Sequence, residues 1–249
     1  MRALVIWHDA AASPGLLGDR LEARGFELAR FVVVEDVSRP VYRGDFPDPL
    51  DHDLVLAMGA PWSVYDTATI GSWIGTELEL LRRAHANGVP VMGVCFGGQA
   101  LAAALGGRVE RAPRIQLGWF PVHPTREGAV GPGPWAEWHS DRFLAPPGSR
   151  LEAEDDLCQQ AFTIGRSLGV QFHPEMTPTH VEQWLELGGA QAERELARAG
   201  TTPERLMTET RANLARATRN ASDLVDWFLD SVAFPGFGHE VVASPAGPP

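Results

Sequence analysis

The amino-acid sequence predicts an α/β fold with a mostly parallel sheet, an antiparallel extension and C-terminal helices. Three observations predict it. Up to Gly107, short apolar runs of β type alternate with helix-like segments, the pattern of parallel strands joined by crossover helices. From 108 to 172 the runs shorten and are broken by Pro and Gly, which reads as antiparallel strands. Beyond Pro203, apolar Met207, Leu214, Ala221, Leu224, Phe228 and Val232 recur at helical spacing and mark an amphipathic helix or helix pair.

Taken in order, residues 3–7 (Ala-Leu-Val-Ile-Trp) are the first strand. Residues 16–24 read as a helix closed by Gly25, 31–34 as the second strand and 54–58 as the third. The segment 76–86 carries Leu78, Leu80 and Leu81 and stops at Asn87-Gly88, a helix terminus. A buried strand over 89–94 leads into an Ala-rich helix over 99–105, ended by Gly106-Gly107. Gly131-Pro132-Gly133-Pro134 is a loop, and 179–199 is helical. The chain thus divides into a main domain over 1–189, a helical extension over 190–233 packed on it, and a tail over 234–249. In that tail four prolines and three glycines favour fraying. Dimerisation is the other use open to the apolar face of the extension. No internal repeat is present.

Composition excludes several function classes. The formal charge of −11 argues against a non-specific nucleic-acid binder or an anionic-membrane binder, both of which need a basic surface. All 21 basic residues are arginine, which excludes a P-loop lysine, a Schiff-base lysine and a lysine general base. The two cysteines, Cys95 and Cys158, are too few for a disulfide framework and show no CxxC spacing. The first apolar run ends at His8-Asp9, too short for a signal-peptide core, and no uncharged apolar run approaches the roughly 20 residues that span a bilayer. A reduced, cytoplasmic protein is expected.

The chemistry concentrates in two segments. In Val91-Met92-Gly93-Val94-Cys95-Phe96-Gly97-Gly98-Gln99 a buried strand runs straight into a helix, with a cysteine at the junction and glycines two residues to either side. This is a nucleophile-elbow layout with sulfur in place of a hydroxyl. The glycines allow a turn too sharp for side chains, and the nucleophile is held in a strained conformation at the edge of the sheet. Thiols at helix N-termini ionise more readily, and the free N–H groups there can hold an oxyanion. Taken alone, such a cysteine is as easily a small core hydrophobe. The second segment, Gly169-Val170-Gln171-Phe172-His173-Pro174-Glu175, supplies a histidine as base and, two residues on, a carboxylate to orient it. A lone His173 would more often be structural. Together the two segments read as a Cys95-His173-Glu175 triad.

The elbow followed 78 residues later by His173-Pro174-Glu175 resembles the signature of the class I glutamine amidotransferase family. The resemblance extends over nearly all of residues 1–185. Met58-Gly59-Ala60-Pro61-Trp62-Ser63-Val64-Tyr65-Asp66 resembles the family's Gly-Gly-Pro oxyanion loop. Ala104-Leu105-Gly106-Gly107-Arg108-Val109 and Leu117-Gly118-Trp119 match segments after the elbow, and Trp138-His139-Ser140-Asp141 matches the Trp-His-x-Asp stretch that lines the glutamine pocket. Pro14-Gly15-Leu16 is typical of the stand-alone, GMP synthase-like branch. The resemblance implies a flavodoxin-like, doubly wound fold. It implies an oxyanion hole from the N–H groups of Gly59 and Phe96, and a grip on the glutamyl α-amino and carboxylate ends by Gln99, Trp138, His139, Ser140 and Asp141. No cofactor and no metal are implied.

Two departures stand out. Gly98 occupies a position where the family often carries His or another bulky residue, so a more open pocket wall is expected there. In the oxyanion loop Met58 replaces the first Gly and Ala60 precedes Pro61, which leaves the shape of the loop open.

Other readings fit less well. A zinc deaminase would need a later Cys-x-x-Cys, which the sequence lacks. His8, His52, His85, His123, His180 and His239 show no metal-ligand spacing and are expected mostly at the surface. Cys158 lies in an apolar strand-like run and is expected to pack. Trp62, Trp119, Trp135 and Trp138 are candidates for the substrate mouth, with core filling as the alternative for Trp119.

The expected function is hydrolysis of glutamine, or of a related γ-glutamyl amide, through a γ-glutamyl thioester that releases ammonia or an amine. As one component of an amidotransferase the chain would need a separate synthetase to receive the ammonia. As a stand-alone γ-glutamyl peptidase or amidase acting on a bulkier conjugate it would need none. The competing class is a catalytically silent binding module on the same fold. Loss of Cys, His or Glu would mark it, and all three are present.

Overall fold

Strands covered on both faces must be apolar at every position, and three short runs of the chain meet that requirement. They form the middle of an eight-stranded sheet in the computed structural model, which describes residues 1–11 and 13–236 of the 249. In chain order the elements are β1 (Arg2–Trp7), α1 (Gly15–Ala23), β2 (Glu27–Val32), β3 (Leu54–Ala57), α2 (Thr67–Ile70), α3 (Ile74–Ala86), β4 (Val91–Val94) and α4 (Phe96–Ala104). Then come β5 (Arg108–Phe120), β6 (His123–Pro124), β7 (Trp135–Leu144), β8 (Arg150–Glu154), β9 (Gln159–Ile164), β10 (Ser167–Val170), α5 (Pro178–Ala199) and α6 (Pro203–Trp227). A wider helical turn, Phe228–Ala233, continues α6.

The sheet runs β2-β1-β3-β4-β10-β9-β8-β6. Its first five strands are mutually parallel, and β9, β8 and β6 continue it in antiparallel fashion. Taken alone, the parallel strands have the order of a flavodoxin-like doubly wound sheet. A separate antiparallel ribbon of β5 and β7 stands beside it.

Strand periodicity of two sorts the side chains into two layers. Ala3, Val5, Leu54 and Leu56 face Leu17 and Leu21 of α1 and Ala221, Leu224 and Val225 of α6. Leu4, Ile6, Val55 and Ala57 face Leu80 and Leu81 of α3 and Ala100 and Leu101 of α4. The C-terminal helix therefore completes one of the two layers of the sheet. Arg20 and Arg24 of α1 strengthen the join with bonds to Asp226 at 2.5 and 2.6 Å, and Arg24 also reaches Asp230 at 2.5 Å. Helix α5 is bent at Gly189, whose φ of 45° and ψ of −128° are not helical. The bend turns the second half of α5 across the β5–β7 ribbon, where Leu196 and Leu206 pack on Leu117 and Ala136.

The second strand differs from the sequence expectation of 31–34. It runs Glu27–Val32, because β2 is the edge of the sheet and is nowhere fully buried. A strand covered on one side carries polar residues, and Glu27 and Arg30 hide it from a search for apolar runs. Val33 and Val34 lie beyond its end and are buried in the layer with α3 and α4. Of the expected tail, Phe234 packs against Phe26 with ring centroids 6.3 Å apart, and positions 237–249 lie outside the described residues. Among the described residues no helix is long and apolar enough to cross a membrane.

Phe228 is wholly buried between α6 and the sheet. Phe228→Ala is expected to lower the unfolding free energy by about 3–5 kcal/mol, as deletion of a core aromatic does. Chemical denaturation measures it, and a cost below about 1 kcal/mol, the range of uncritical sites, would show that this segment is not integral to the core.

Candidate active site

Because β1, β3, β4 and β10 are parallel neighbours, their carboxyl ends meet at one edge of the sheet, where open α/β folds place ligands. Cys95 follows β4 directly and caps α4. Its φ of 51° and ψ of −107° make it the one non-glycine residue with positive φ among the described residues. Such a conformation costs on the order of 1–3 kcal/mol and persists only where neighbours over-determine it. Here Cys95 N–H donates to Val170 O at 2.8 Å, Gly97 N–H to Met58 O at 3.1 Å and Gln99 N–H to Cys95 O at 2.9 Å.

Those bonds require backbones to touch. A Cβ on Gly97 would lie 2.1 Å from Ala57 O, and one on Gly98 would lie 2.5 Å from Val170 O. Gly98 therefore opens no pocket wall, contrary to the sequence expectation. Its missing side chain is replaced by the backbone of β10, and Gly98 does not line the cavity.

His173 leaves the end of β10 and is tied to β7 through its N–H, 2.8 Å from Ala136 O. Its Nδ1 lies 2.7 Å from Glu175 Oε1, and both side chains are buried. The imidazole Nε2 carries no hydrogen bond of standard geometry, and the neighbouring Cys95 sulfur acts on the ring through charge. Burial alone would lower the His173 pKa. The Cys95 sulfur and the Glu175 carboxylate outweigh it, so His173 is held well above its ordinary value. Trp184 of α5 packs edge-on against His173, with ring centroids 4.8 Å apart.

The residues that the sequence assigns to the triad, the oxyanion hole and the glutamyl ends all line one cavity of about 660 Å³. Gly59 sits against the triad: a Cβ there would come within 3.2 Å of His173 Cε1. Neither the Gly59 nor the Phe96 N–H has a backbone acceptor among the described residues. Met58 turns into the core, so the departure from Gly at that position does not narrow the cavity. Gln99 donates to Asp141 O at 3.2 Å and to Gln171 Oε1 at 3.3 Å. Asp141 accepts from Ser63 and, at 2.9 Å, from Tyr65, which clasps the 59–66 loop to β7. His139 Nδ1 lies 2.8 Å from Asp141 O, and Trp138 Nε1 donates to Glu195 of α5 at 2.7 Å. Ser140 lies between them on the cavity wall.

Several residues at the site escaped the sequence reading. Gln171 places its Nε2 3.7 Å from Cys95 Sγ. It stands two residues before His173 on the same extended run, so strand alternation puts both on one side and could have found it. Trp184 had no such signal. The expectation of surface histidines fails for His8 and His180, which are buried. His180 is held by Ser13 Oγ at 2.7 Å and Thr177 Oγ1 at 2.8 Å, and burial pushes its pKa down. His8 is paired with Glu77 of α3.

A sequence model of the glutamine amidotransferase class-I family matches residues 19–188. The chain belongs to that family. Among its relatives, the GMP synthase (glutamine-hydrolyzing) of Thermus thermophilus is 38% identical over 141 residues, 51% of this chain and 26% of the relative. A separately encoded subunit of the GMP synthase (glutamine-hydrolyzing) of Sulfurisphaera tokodaii is 31% identical over 147 residues, 55% of this chain and 73% of the relative. The chain thus spans about a quarter of the length of the first and about three quarters of the second. The crystal structure of a glutamine amido transferase from Methylobacillus flagellatus superposes with a TM-score of 0.76 at 27% identity, covering 92% of this chain and 94% of that one.

In this amidotransferase the two thiols differ in setting. Cys158 is buried beside Glu137 and Asp155, and burial and those carboxylates push its pKa far up. Iodoacetamide at neutral pH is expected to label Cys95 and spare Cys158. Peptide mapping by mass spectrometry reads the outcome, and label on Cys158 with Cys95 untouched would contradict this division.

Proposed function

We propose that this protein hydrolyses the side-chain amide of glutamine, or of a related γ-glutamyl amide, through a γ-glutamyl thioester on Cys95. The observation that carries the reading is the strained Cys95 at the head of α4, sharing one cavity with a His173 ring held by Glu175. Its sulfur attacks the amide carbon as a thiolate, and the carbonyl oxygen gathers charge between the N–H groups of Gly59 and Phe96. Protonated His173 gives its proton to the departing nitrogen, and ammonia or an amine leaves with the thioester formed. A water then attacks the thioester carbon as His173 takes its proton, and glutamate and the thiolate are released. Glu175 orients His173 and favours its charged form.

Gln99, Trp138, His139, Ser140 and Asp141 are assigned to the glutamyl ends. With the Gln99 NH2 committed to Asp141 O and Gln171, its Oε1 is the atom left for the substrate's α-amino group. The main domain of 1–189 and the extension of 190–233 act here as one unit, because α5 contributes Trp184 and Glu195 to the cavity.

For the use of the ammonia, the relatives named GMP synthase support a glutaminase that feeds a separate synthetase, in a reduced cytoplasmic setting. A second reading, a γ-glutamyl peptidase or amidase acting on a bulkier conjugate, is favoured by one observation. The cavity of about 660 Å³ continues past the triad to Leu187, Gln191 and Arg198 of α5. Pockets of roughly 300–1,000 Å³ enclose drug-sized ligands, so there is room for more than glutamine. Comparing kcat/KM for glutamine, γ-glutamyl alkylamides and γ-glutamyl peptides with the isolated protein separates the two. Turnover of the bulkier amides supports the second reading. Negligible turnover of all of them, restored for glutamine alone by a synthetase, supports the first.

Cys95→Ser and His173→Ala are expected to abolish hydrolysis, a loss on the order of 10⁴-fold or more by analogy with other triads. Glu175→Gln, which removes an orienting group and no proton carrier, is expected to cost about 10- to 100-fold less than His173→Ala. Release of glutamate measures both. A Cys95→Ser protein with substantial activity would overturn the nucleophile assignment, and equal losses at His173 and Glu175 would overturn the division of roles.

A further inference from the structure

His8 and Glu77 take no part in the reaction as laid out above, yet both side chains are fully buried. Burying two ionisable groups carries a desolvation penalty that a well-packed apolar pair avoids, so the pair calls for a specific reason. His8 stands directly after β1, at the carboxyl edge of the sheet. Its Nδ1 lies 3.1 Å from Gly59 O, and its Nε2 lies 2.9 and 3.0 Å from the two oxygens of Glu77. A carbonyl oxygen only accepts, so Nδ1 carries a proton whichever charge state the pair adopts. The ring also packs edge-on against Phe96, with centroids 4.8 Å apart, and against Trp73 at 5.8 Å. His8 thus touches both residues whose N–H groups are assigned to the oxyanion, Gly59 by hydrogen bond and Phe96 by ring packing.

Two hydrogen bonds pin successive peptide planes on either side of the Gly59 Cα. Met58 O accepts from Gly97 N–H at 3.1 Å, which fixes the plane carrying Gly59 N–H. Gly59 O accepts from His8, which fixes the next. Glycine has no side chain to restrict its own ψ. Without His8 the Gly59 carbonyl is free to turn toward the cavity, where its negative end would face the developing oxyanion. Burial opposes charge on His8, but Glu77 outweighs it and the pKa of the ring is raised, consistent with a strong donor.

We propose that His8, held by Glu77, is a positioning residue that keeps the Gly59 carbonyl in the core and so sets the oxyanion hole. This rests on the thioester reading given under Proposed function. His8→Leu alone strands Glu77 in the core and can fail to fold, so the deciding variant is His8→Leu/Glu77→Leu, an apolar replacement of the whole pair that such sites often tolerate.

Three measurements are made on this variant and the wild type: kcat and KM for γ-glutamyl amides, the rate of Cys95 alkylation by iodoacetamide, and the affinity for glutarate semialdehyde. The aldehyde lacks the α-amino group and does not cyclise. Cys95 sulfur adds to its carbon, and the carbonyl oxygen takes up the proton from His173, so the hemithioacetal oxygen sits where the oxyanion forms. Alkylation displaces iodide and makes no oxyanion. Expected are a fall in kcat of roughly 10²-fold, the scale of losing one oxyanion donor, with KM little changed. Aldehyde affinity falls as well, and alkylation stays within about 2-fold, a range set by the ordinary spread of surface effects. Wild-type kcat and aldehyde affinity in the double variant would overturn the proposal, as would hydrolysis and alkylation falling together. Should the wild type hydrolyse no γ-glutamyl amide, the thioester reading fails, and aldehyde affinity alone decides the role of His8: lost in the variant it stands, unchanged or absent in the wild type it falls.

Discussion

Cys95 is held at positive φ because α4 starts against the backbones of two different strands, β3 through Gly97 and β10 through Gly98. Remove either close approach and the helix must back away from the sheet, and the cysteine would relax into an ordinary conformation. The same contacts fix what surrounds the sulfur. The Gly97 N–H that touches Met58 O anchors the loop carrying Gly59, and the Val170 O that receives Cys95 N–H belongs to the strand that delivers Gln171 and His173. One strained residue and three glycines thereby set the distance between nucleophile, base and oxyanion loop, and the parallel sheet supplies the frame that absorbs the strain.

The second theme is charge kept out of water. His173 with Glu175, and His8 with Glu77, are buried pairs at the carboxyl edge of the sheet, and Glu137 lies buried 3.1 Å from His139 beneath the cavity. Burial pushes the Glu137 pKa up, against the pull of His139 and His173. Arrangements of this kind cost stability, and they strengthen every electrostatic interaction at the site. The rest of the molecule offsets that cost by ordinary means: two apolar layers on the sheet, one of them completed only when α6 packs beside α1.

The parallel core was legible in the sequence because strands buried on both faces are apolar throughout, and 54–57 and 91–94 have no polar residue at all. The triad residues were legible because each half sits in a contiguous motif at a strand end. What escaped depends on partners far away in sequence. β2 is an edge strand, so its burial pattern is weak. Gly98 announced a missing side chain but not that β10 fills the gap. Glu77 lies 69 residues from His8, and nothing local to either predicts the pair. The mouth of the cavity depends on the bend at Gly189, which leaves no mark in the periodicity of α5. Gln171 is the exception, since its two-residue offset from His173 placed it within reach of sequence reasoning.

The central claim is that Cys95 carries a γ-glutamyl group during turnover. Acid quenching of the protein during steady-state turnover of glutamine, followed by peptide mapping, tests it most directly. The account predicts a γ-glutamyl adduct on the Cys95 peptide, removed by hydroxylamine as a thioester is. Steady turnover with that peptide unmodified, or with the adduct on another residue, would contradict it.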